Sequence, residues 1–265
     1  MSTARYLARR AYHRGRLATA LLRGRGRNWH GLRILGYHRL AMPTEPLSVS
    51  PEQFRIQMEL VRESGATPIR LESALDELAA PVRGRYISVT FDDGYLDNVE
   101  HGEPVLRELG IPATIFLPTA IIAGRMSYPW YDPPPPALGW HDVRRVAGRG
   151  VIDFQSHTVS HRWLPELSDA EAADEFRESK AELERELGSP VTCIAFPSGM
   201  HGPRELRLVH DTGYRAGITT DPDLNRGGVG LGGLSRTLVF ADDDRTLFLE
   251  KVIGFHDLPR SRTHA

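Results

Sequence analysis

Short runs of aliphatic, β-branched and aromatic residues recur along the chain from about residue 32, at 33–37, 86–91, 113–117, 151–155, 192–196 and 215–219. Runs of this length, bounded by glycine, proline or charged residues, predict buried strands. Between them, helical patterning predicts helices over 51–64, 71–79, 97–109, 140–148, 168–187, 203–212 and 243–252. Ser50 before Pro51 and Gln53, and the run Ser168-Asp169-Ala170-Glu171, are helix-start signals. Gly65, Gly110, Gly188 and Gly213 stand where helices should stop, with Pro112 and Pro190 just beyond two of them. Strand and helix in alternation imply a mainly parallel sheet, and this many repeats in one chain imply a barrel or a doubly wound sheet.

One stretch breaks the pattern. Residues 124–140 hold Pro129, Trp130, Tyr131 and the run Pro133 to Pro136, which excludes regular helix and central strand. The stretch follows the predicted strand ending at Leu117, on the side of the sheet where α/β folds build their sites. Trp130 and Tyr131 therefore either line a substrate groove or tuck inward on a rigid surface loop.

With 265 residues, 40% hydrophobic and 25% charged, the chain has ample material for a core, and disorder is excluded. Its apolar runs are strand-sized, far short of a membrane-spanning helix. The single cysteine, Cys193, lies in an apolar run and reads as core; no intrachain disulfide or thiolate-rich metal knuckle can be built. The net charge of -1 conceals an asymmetry, because residues 1–33 hold nine arginines and no acid, leaving 24 bases against 34 acids in the remainder. That basic arm, with Tyr6, Leu7, Ala11, Leu17, Leu21 and Leu22 at loosely helical spacing, is either an amphipathic helix drawn to anionic lipid or an arm frayed or packed on the domain. It reads poorly as a secretory signal, so the expectation is a cytoplasmic protein, peripheral on the membrane in the case that the arm is the amphipathic helix. Nucleic acid is not expected as a partner, because no aromatic-basic surface accompanies the arm.

The strongest chemical signal is Thr90-Phe91-Asp92-Asp93-Gly94, directly after a predicted strand. Two adjacent carboxylates at a strand end, with a glycine that allows a sharp turn, are costly to bury unless a cation or proton transfer uses them. The structural alternative is that one of them caps the next helix. The second signal is Ser156-His157-Thr158-Val159-Ser160-His161. Two histidines four apart point the same way on a helical turn, and with a carboxylate from another strand end they suit zinc or a similar ion while leaving positions open for substrate.

With Phe196-Pro197-Ser198-Gly199, these two stretches resemble, in order, the first three motifs of the polysaccharide deacetylases, the NodB-homology group also called carbohydrate esterase family four, over about residues 32–240. The resemblance is strongest to the branch of poly-N-acetylglucosamine deacetylases, whose domain begins with a strand ending in Tyr-His, here Tyr37-His38. Leu47 to Phe54 and Glu108 to Thr114 are also similar to that branch. The resemblance implies an α/β fold, a distorted, incomplete (β/α) barrel of the NodB-homology type, occupying residues 32–255 between the arm (1–31) and a short tail (256–265).

It further implies one divalent metal ion, zinc with cobalt or nickel as alternatives, held by Asp93, His157 and His161, and Asp92 as general base. The developing oxyanion would meet a backbone N–H in the Pro197-Ser198-Gly199 turn. His38 would be the general acid. His256, in Ile253-Gly254-Phe255-His256-Asp257, resembles the acid of a late Leu-x-His motif and is the less favoured alternative, since it follows a predicted helix in a charged tail. Two departures stand out: Ser198 replaces the family's usual aromatic, and no arginine precedes Pro197 to orient the base. Arg39, Arg162 and Arg236 all remain candidates for that partner, and Trp163 is either part of an acetyl pocket or core. The implied activity is metal-dependent removal of N-acetyl groups from amino sugars in a polysaccharide, oligosaccharide or glycoconjugate, with release of acetate. An O-acetyl esterase, another amide hydrolase on the same fold, and a sugar-binding module without turnover are the alternatives.

Overall fold

The computed structural model describes residues 12, 15, 29–228 and 230–257. Of the basic arm, Tyr12, Gly15 and residues 29–31 are described; the rest of it, with the choice between an amphipathic helix and a frayed or packed arm, and residues 258–265 of the tail lie outside the described residues. The chain runs β1 (Gly31–Tyr37), β2 (Arg39–Leu40), β3 (Ser48–Val49), α1 (Pro51–Glu63), β4 (Thr67–Pro68), α2 (Leu71–Glu77) and β5 (Arg85–Phe91). It continues with α3 (Glu103–Leu109), β6 (Ala113–Leu117), α4 (Thr119–Ile122), α5 (Trp140–Ala147), β7 (Ile152–Ser156), α6 (Asp169–Leu187), β8 (Cys193–Ala195), α7 (Pro203–Asp211), β9 (Ala216–Ile218), β10 (Thr237–Leu238) and α8 (Arg245–Val252). The helix starts follow the sequence signals: the Ser50 side chain accepts from the Gln53 N–H, and Ser168 and Glu171 form a reciprocal capping box.

The main sheet is parallel throughout, in the order β10-β1-β5-β6-β7-β8-β9, with β4 beside β5. It curls into an incomplete barrel. The segment 234–238 lies in the gap between the outer strands, bridging Ile218 of β9 through Leu234 and pairing β1 through β10. Strand alternation divides the core in two. Leu32, Ile34, Phe116, Cys193, Ala195, Ala216 and Ile218 fill the barrel interior, closed below by Leu71, Ala74 and Leu75 of α2. Leu35, Tyr37, Ile87, Val89, Phe91, Ile115, Leu117 and Phe154 face outward onto the helices. Cys193 is fully buried in the interior, as its apolar surroundings predict.

Three details differ from the sequence reading. The predicted helix over 97–109 begins as a single π turn, Asn98–Gly102, before α3 takes over. The ribbon of β2 and β3, and the short strands β4 and β10, carry too few residues to show a period. Residues 123–139 are irregular, as the prolines require, but a single turn of helix, α4, precedes them. No helix among the described residues is long and apolar enough to cross a membrane.

Candidate active site

The same alternation that fills the barrel carries on past the strand ends. In β1, β5 and β7 the even positions 34 and 36, the even positions 88 and 90, and the odd positions 153 and 155 share the interior face, so His38, Asp92 and His157 are the next inward residues. Backbone pairing extends one step to hold them there: the Asp92 N–H donates to the Tyr37 carbonyl (2.9 Å) and the His157 N–H to that of Leu117 (3.0 Å). Asp93 falls on the wrong parity. Its φ of 71° and the following Gly94 at 69° end the extended course and turn its carboxylate back into the barrel mouth. Asp93, Thr158, His161 and Ser198 are the non-glycine residues with positive φ among the described residues, and all four belong to the three motifs. Backbone strain is thus concentrated where the motif side chains converge.

Asp92 is paired in bidentate fashion with Arg236, Oδ1 to Nη1 at 2.6 Å and Oδ2 to Nη2 at 2.7 Å, and both side chains are buried. Burial alone would raise the Asp92 carboxyl, but the Arg236 guanidinium, aided by the neighbouring His157 and His38, outweighs it and holds the group far below the usual carboxylate range. Arg236 reaches this place from the barrel seam. Gly36 makes room for it, since a Cβ there would stand 3.1 Å from the Arg236 Cδ and 2.8 Å from a methyl of Leu238. Of the three arginines left open by the sequence, Arg39 pairs instead with Asp97 and Glu45, and Arg162 with Glu171 at the surface. His38 approaches Asp92 from the other side, Nε2 to Oδ2 at 3.8 Å.

Asp93, His157 and His161 gather next to this pair, each offering a ligand atom within 4.8 Å of the others. The Asp93 Oδ1 is 3.6 Å from His157 Nε2 and 3.4 Å from His161 Nε2. His157 Nδ1 is 2.8 Å from the carbonyl of Ala195 on β8, which fixes the ring so that Nε2 turns to Asp93. Burial pushes His157 down to about 3 and lowers His161, keeping both imidazoles neutral, while burial raises Asp93 to about 6. The histidines are not on a helical turn as expected: residues 157–163 have no helical structure, and the positive φ of Thr158 and His161 brings the rings together. Two neutral imidazoles and a carboxylate with a buried, unpartnered Oδ1 are a donor set suited to a divalent ion with open positions.

The sequence profile described as polysaccharide deacetylase matches residues 79–217, just over half of the chain. The chain belongs to the polysaccharide deacetylase family. Among curated relatives, the protein YxkH of Bacillus subtilis (strain 168), which carries a polysaccharide deacetylase name, is 29% identical over 72% of this chain. A poly-beta-1,6-N-acetyl-D-glucosamine N-deacetylase of Staphylococcus aureus is 22% identical over 66% of it. The matches cover 65% and 61% of those two proteins, so the chain spans less than two thirds of the curated relatives it matches. Among solved structures, IcaB from Ammonifex degensii is 25% identical with a TM-score of 0.73, covering 87% of this chain and 98% of its own. The Streptococcus pyogenes deacetylase PplD in complex with acetate has the same fold, with a TM-score of 0.74 at 23% identity, over 84% of this chain and 98% of its own. The curled sheet is thus the incomplete barrel of the NodB-type deacetylases.

The remaining motif residues of this polysaccharide deacetylase domain are distributed as follows. Pro197 and Ser198 form a 310 turn after β8, in which the Gly199 and Met200 N–H groups donate to the carbonyls of Phe196 and Pro197. Gly199 has a φ of 68° and lies so close to Thr220 that a Cβ would meet its hydroxyl at 1.9 Å, so only glycine fits. The Trp130 ring lies 4.6 Å from that of His161 and its Nε1–H donates to the Tyr95 hydroxyl (3.3 Å), leaving the indole half exposed. Tyr131 turns away and donates to Glu45 (2.7 Å). Trp163 is 53% exposed, and no ring or hydrogen-bond contact joins it to the cluster among the described residues. His256 is set apart from the site, against Glu250, while the neighbouring Asp257 clamps Arg33 near the opposite end of β1.

Several supporting residues carried no motif. Tyr128 donates to the Asp93 carbonyl (3.0 Å), and Asp97 accepts from the Leu40 N–H while Asn98 donates to the His38 carbonyl (2.6 Å). On α6, Glu175, Ser179 and Glu182 hold the loop after β7, Ser156 and Arg125 respectively. Their sequence signal is three polar residues at helical spacing on a face that also carries buried Ala172, Phe176 and Leu183.

Proposed function

We propose that this protein is a metal-dependent N-deacetylase of N-acetylated amino sugars in a polymer or glycoconjugate, releasing acetate and leaving a free amine. The observation that carries the reading is the juxtaposition of an Arg-paired carboxylate, Asp92, with the Asp93, His157 and His161 cluster. In this reading Asp93, His157 and His161 hold one divalent ion, with zinc the first choice for a donor set of two imidazoles and a carboxylate, and cobalt or nickel as substitutes. When bound, the ion supplies Lewis acidity to the scissile carbonyl and acidifies water enough for a weakly basic carboxylate to take its proton.

The chain's own groups account for the rest. Asp92, ionised and pinned by Arg236, accepts the proton on the oxygen that faces His38. His38 returns a proton from Nε2 to the departing amine; His256, engaged with Glu250, has no part in this. A backbone N–H of the Pro197–Gly199 turn donates to the oxygen that gains charge, a role left to Ser198 because the Gly199 and Met200 N–H groups are already bonded. Trp130, beside His161 and half exposed, offers an apolar face to a sugar ring at the mouth.

The test is acetate release from oligosaccharides of N-acetylglucosamine. Wild-type protein should release acetate, and Asp92→Asn should lose about 100- to 10,000-fold in kcat while still binding the oligosaccharide. Equal rates in the two proteins would refute the assignment. The arginine-rich arm is proposed to make peripheral contact with anionic membranes, in which case vesicles of anionic lipid should sediment the full chain but not one beginning at residue 29.

A further inference from the structure

We propose that Glu175 is a positioning residue for the Asp93, His157 and His161 cluster, a role that rests on reading that cluster as a metal site. The two histidines are delivered in different ways. His157 continues β7 and is fixed twice by the sheet, through its N–H to the Leu117 carbonyl and its Nδ1 to the Ala195 carbonyl. His161 has no strand behind it. It ends an irregular turn in which Thr158 (φ 66°) and His161 itself (φ 56°) hold left-handed conformations that non-glycine residues adopt only when their surroundings impose them.

Glu175 imposes the turn. Its Oε2 accepts from the N–H groups of Val159 (2.8 Å) and Ser160 (2.9 Å), and its Oε1 accepts from the Ser160 hydroxyl. On the opposite flank, the Thr119 and Ala120 N–H groups donate to the carbonyls of Thr158 (3.1 Å) and Val159 (2.9 Å). The turn is thus gripped between a carboxylate that takes its donors and a backbone segment that takes its acceptors. Glu175 is buried and sits on α6, a capped helix of 19 residues, so the grip has a rigid base. Without the carboxylate, two N–H groups and a hydroxyl lose their acceptor, and the strained turn is free to relax toward ordinary φ values. His161 then moves while His157 stays.

The experiment uses cobalt(II) added to the metal-free full-length chain, read by affinity and by the visible ligand-field spectrum, in wild type, Glu175→Ala, Glu175→Gln and His161→Ala. Glu175→Ala is expected to bind cobalt about tenfold to a hundredfold more weakly, as supporting groups of metal ligands do, and to shift the spectrum toward that of His161→Ala with far-ultraviolet circular dichroism unchanged. Glu175→Gln should recover most of the affinity, since its carbonyl can accept both N–H groups and its amide can donate to Ser160 with the hydroxyl reversed. Should Glu175→Ala fail to fold, Glu175→Asp, which withdraws the carboxylate by one methylene, carries the same comparison. Wild-type affinity and spectrum in the Ala or Asp variant would overturn the positioning role and leave the metal site standing. A wild-type chain that takes up no cobalt would instead overturn the metal site, and this proposal with it.

Discussion

Asp92 and Asp93 are adjacent, chemically identical and both buried, yet their partners divide them. Arg236 keeps Asp92 ionised, whereas Asp93, without a guanidinium of its own, is raised by burial to about 6. A buried pair broken on one side leaves an uncompensated charge, so Arg236→Met should destabilise the fold by about 3–5 kcal/mol in urea unfolding at neutral pH. The pH dependence has a definite sign. Because the folded Asp92 is held below its unfolded value of about 3.9, its contribution is present in full above that pH and is lost only as pH falls toward the folded value. In Arg236→Met burial, no longer countered by the guanidinium, would raise Asp92 instead, so the stability gap should hold near neutrality and narrow in acid. A gap constant down to pH 3 would argue against the pairing. Asp92, Asp93, His157 and His161 were legible in the sequence because charged and imidazole groups crowded at strand ends are hard to explain otherwise. Arg236 was not singled out from Arg39 and Arg162, because the partner of Asp92 is chosen by a register across the barrel seam, between Gly36 and Leu238, that no local pattern carries.

The elements that build the site differ in how plainly their residues announce them. Long strands and capped helices are local in origin: β1, β5, β6 and α6 follow from apolar runs, Ser168 and Glu171. Ser168→Ala removes the cap from α6 and should cost about 1 kcal/mol in thermal or urea unfolding, with cobalt affinity unchanged because Glu175 lies two turns further on. A loss of cobalt affinity as large as that of Glu175→Ala would mean that the whole helix, rather than its carboxylate, sets the site. The turn after β7 is the opposite case. Spacing of four suggested a helical turn, but the chain meets the same requirement with two left-handed residues, and their conformation is dictated by Glu175 and by the segment at 119–120. Period alone cannot reveal a geometry imposed from another element.

Across the whole molecule, the parallel order β10-β1-β5-β6-β7-β8-β9 sets the strand ends that carry His38, Asp92, His157 and Phe196 at one end of the barrel, with β6 between the second and third. Strand and helix alternation was sufficient to indicate a parallel sheet, but the choice between barrel and open sheet came from the family resemblance, since the closing segment 234–238 has only two residues in β10. The motif residues of the proposed site run from His38 to Arg236, so a chain beginning at residue 29 should keep the acetate-releasing activity of the full chain on soluble oligosaccharides. Loss of activity on truncation would place a missing part of the site in the arm.

Metal content and turnover can be coupled in one preparation. Metal content and acetate release from N-acetylglucosamine oligosaccharides would be measured for wild type, for chelator-treated protein with and without added zinc, and for a His157→Ala, His161→Ala double variant. About one divalent ion per chain is expected, with ion and acetate release lost together on chelation, restored together by zinc, and absent from a folded double variant. Acetate release that survives in protein stripped of metal, or in the double variant, would rule out metal-dependent deacetylation at this site.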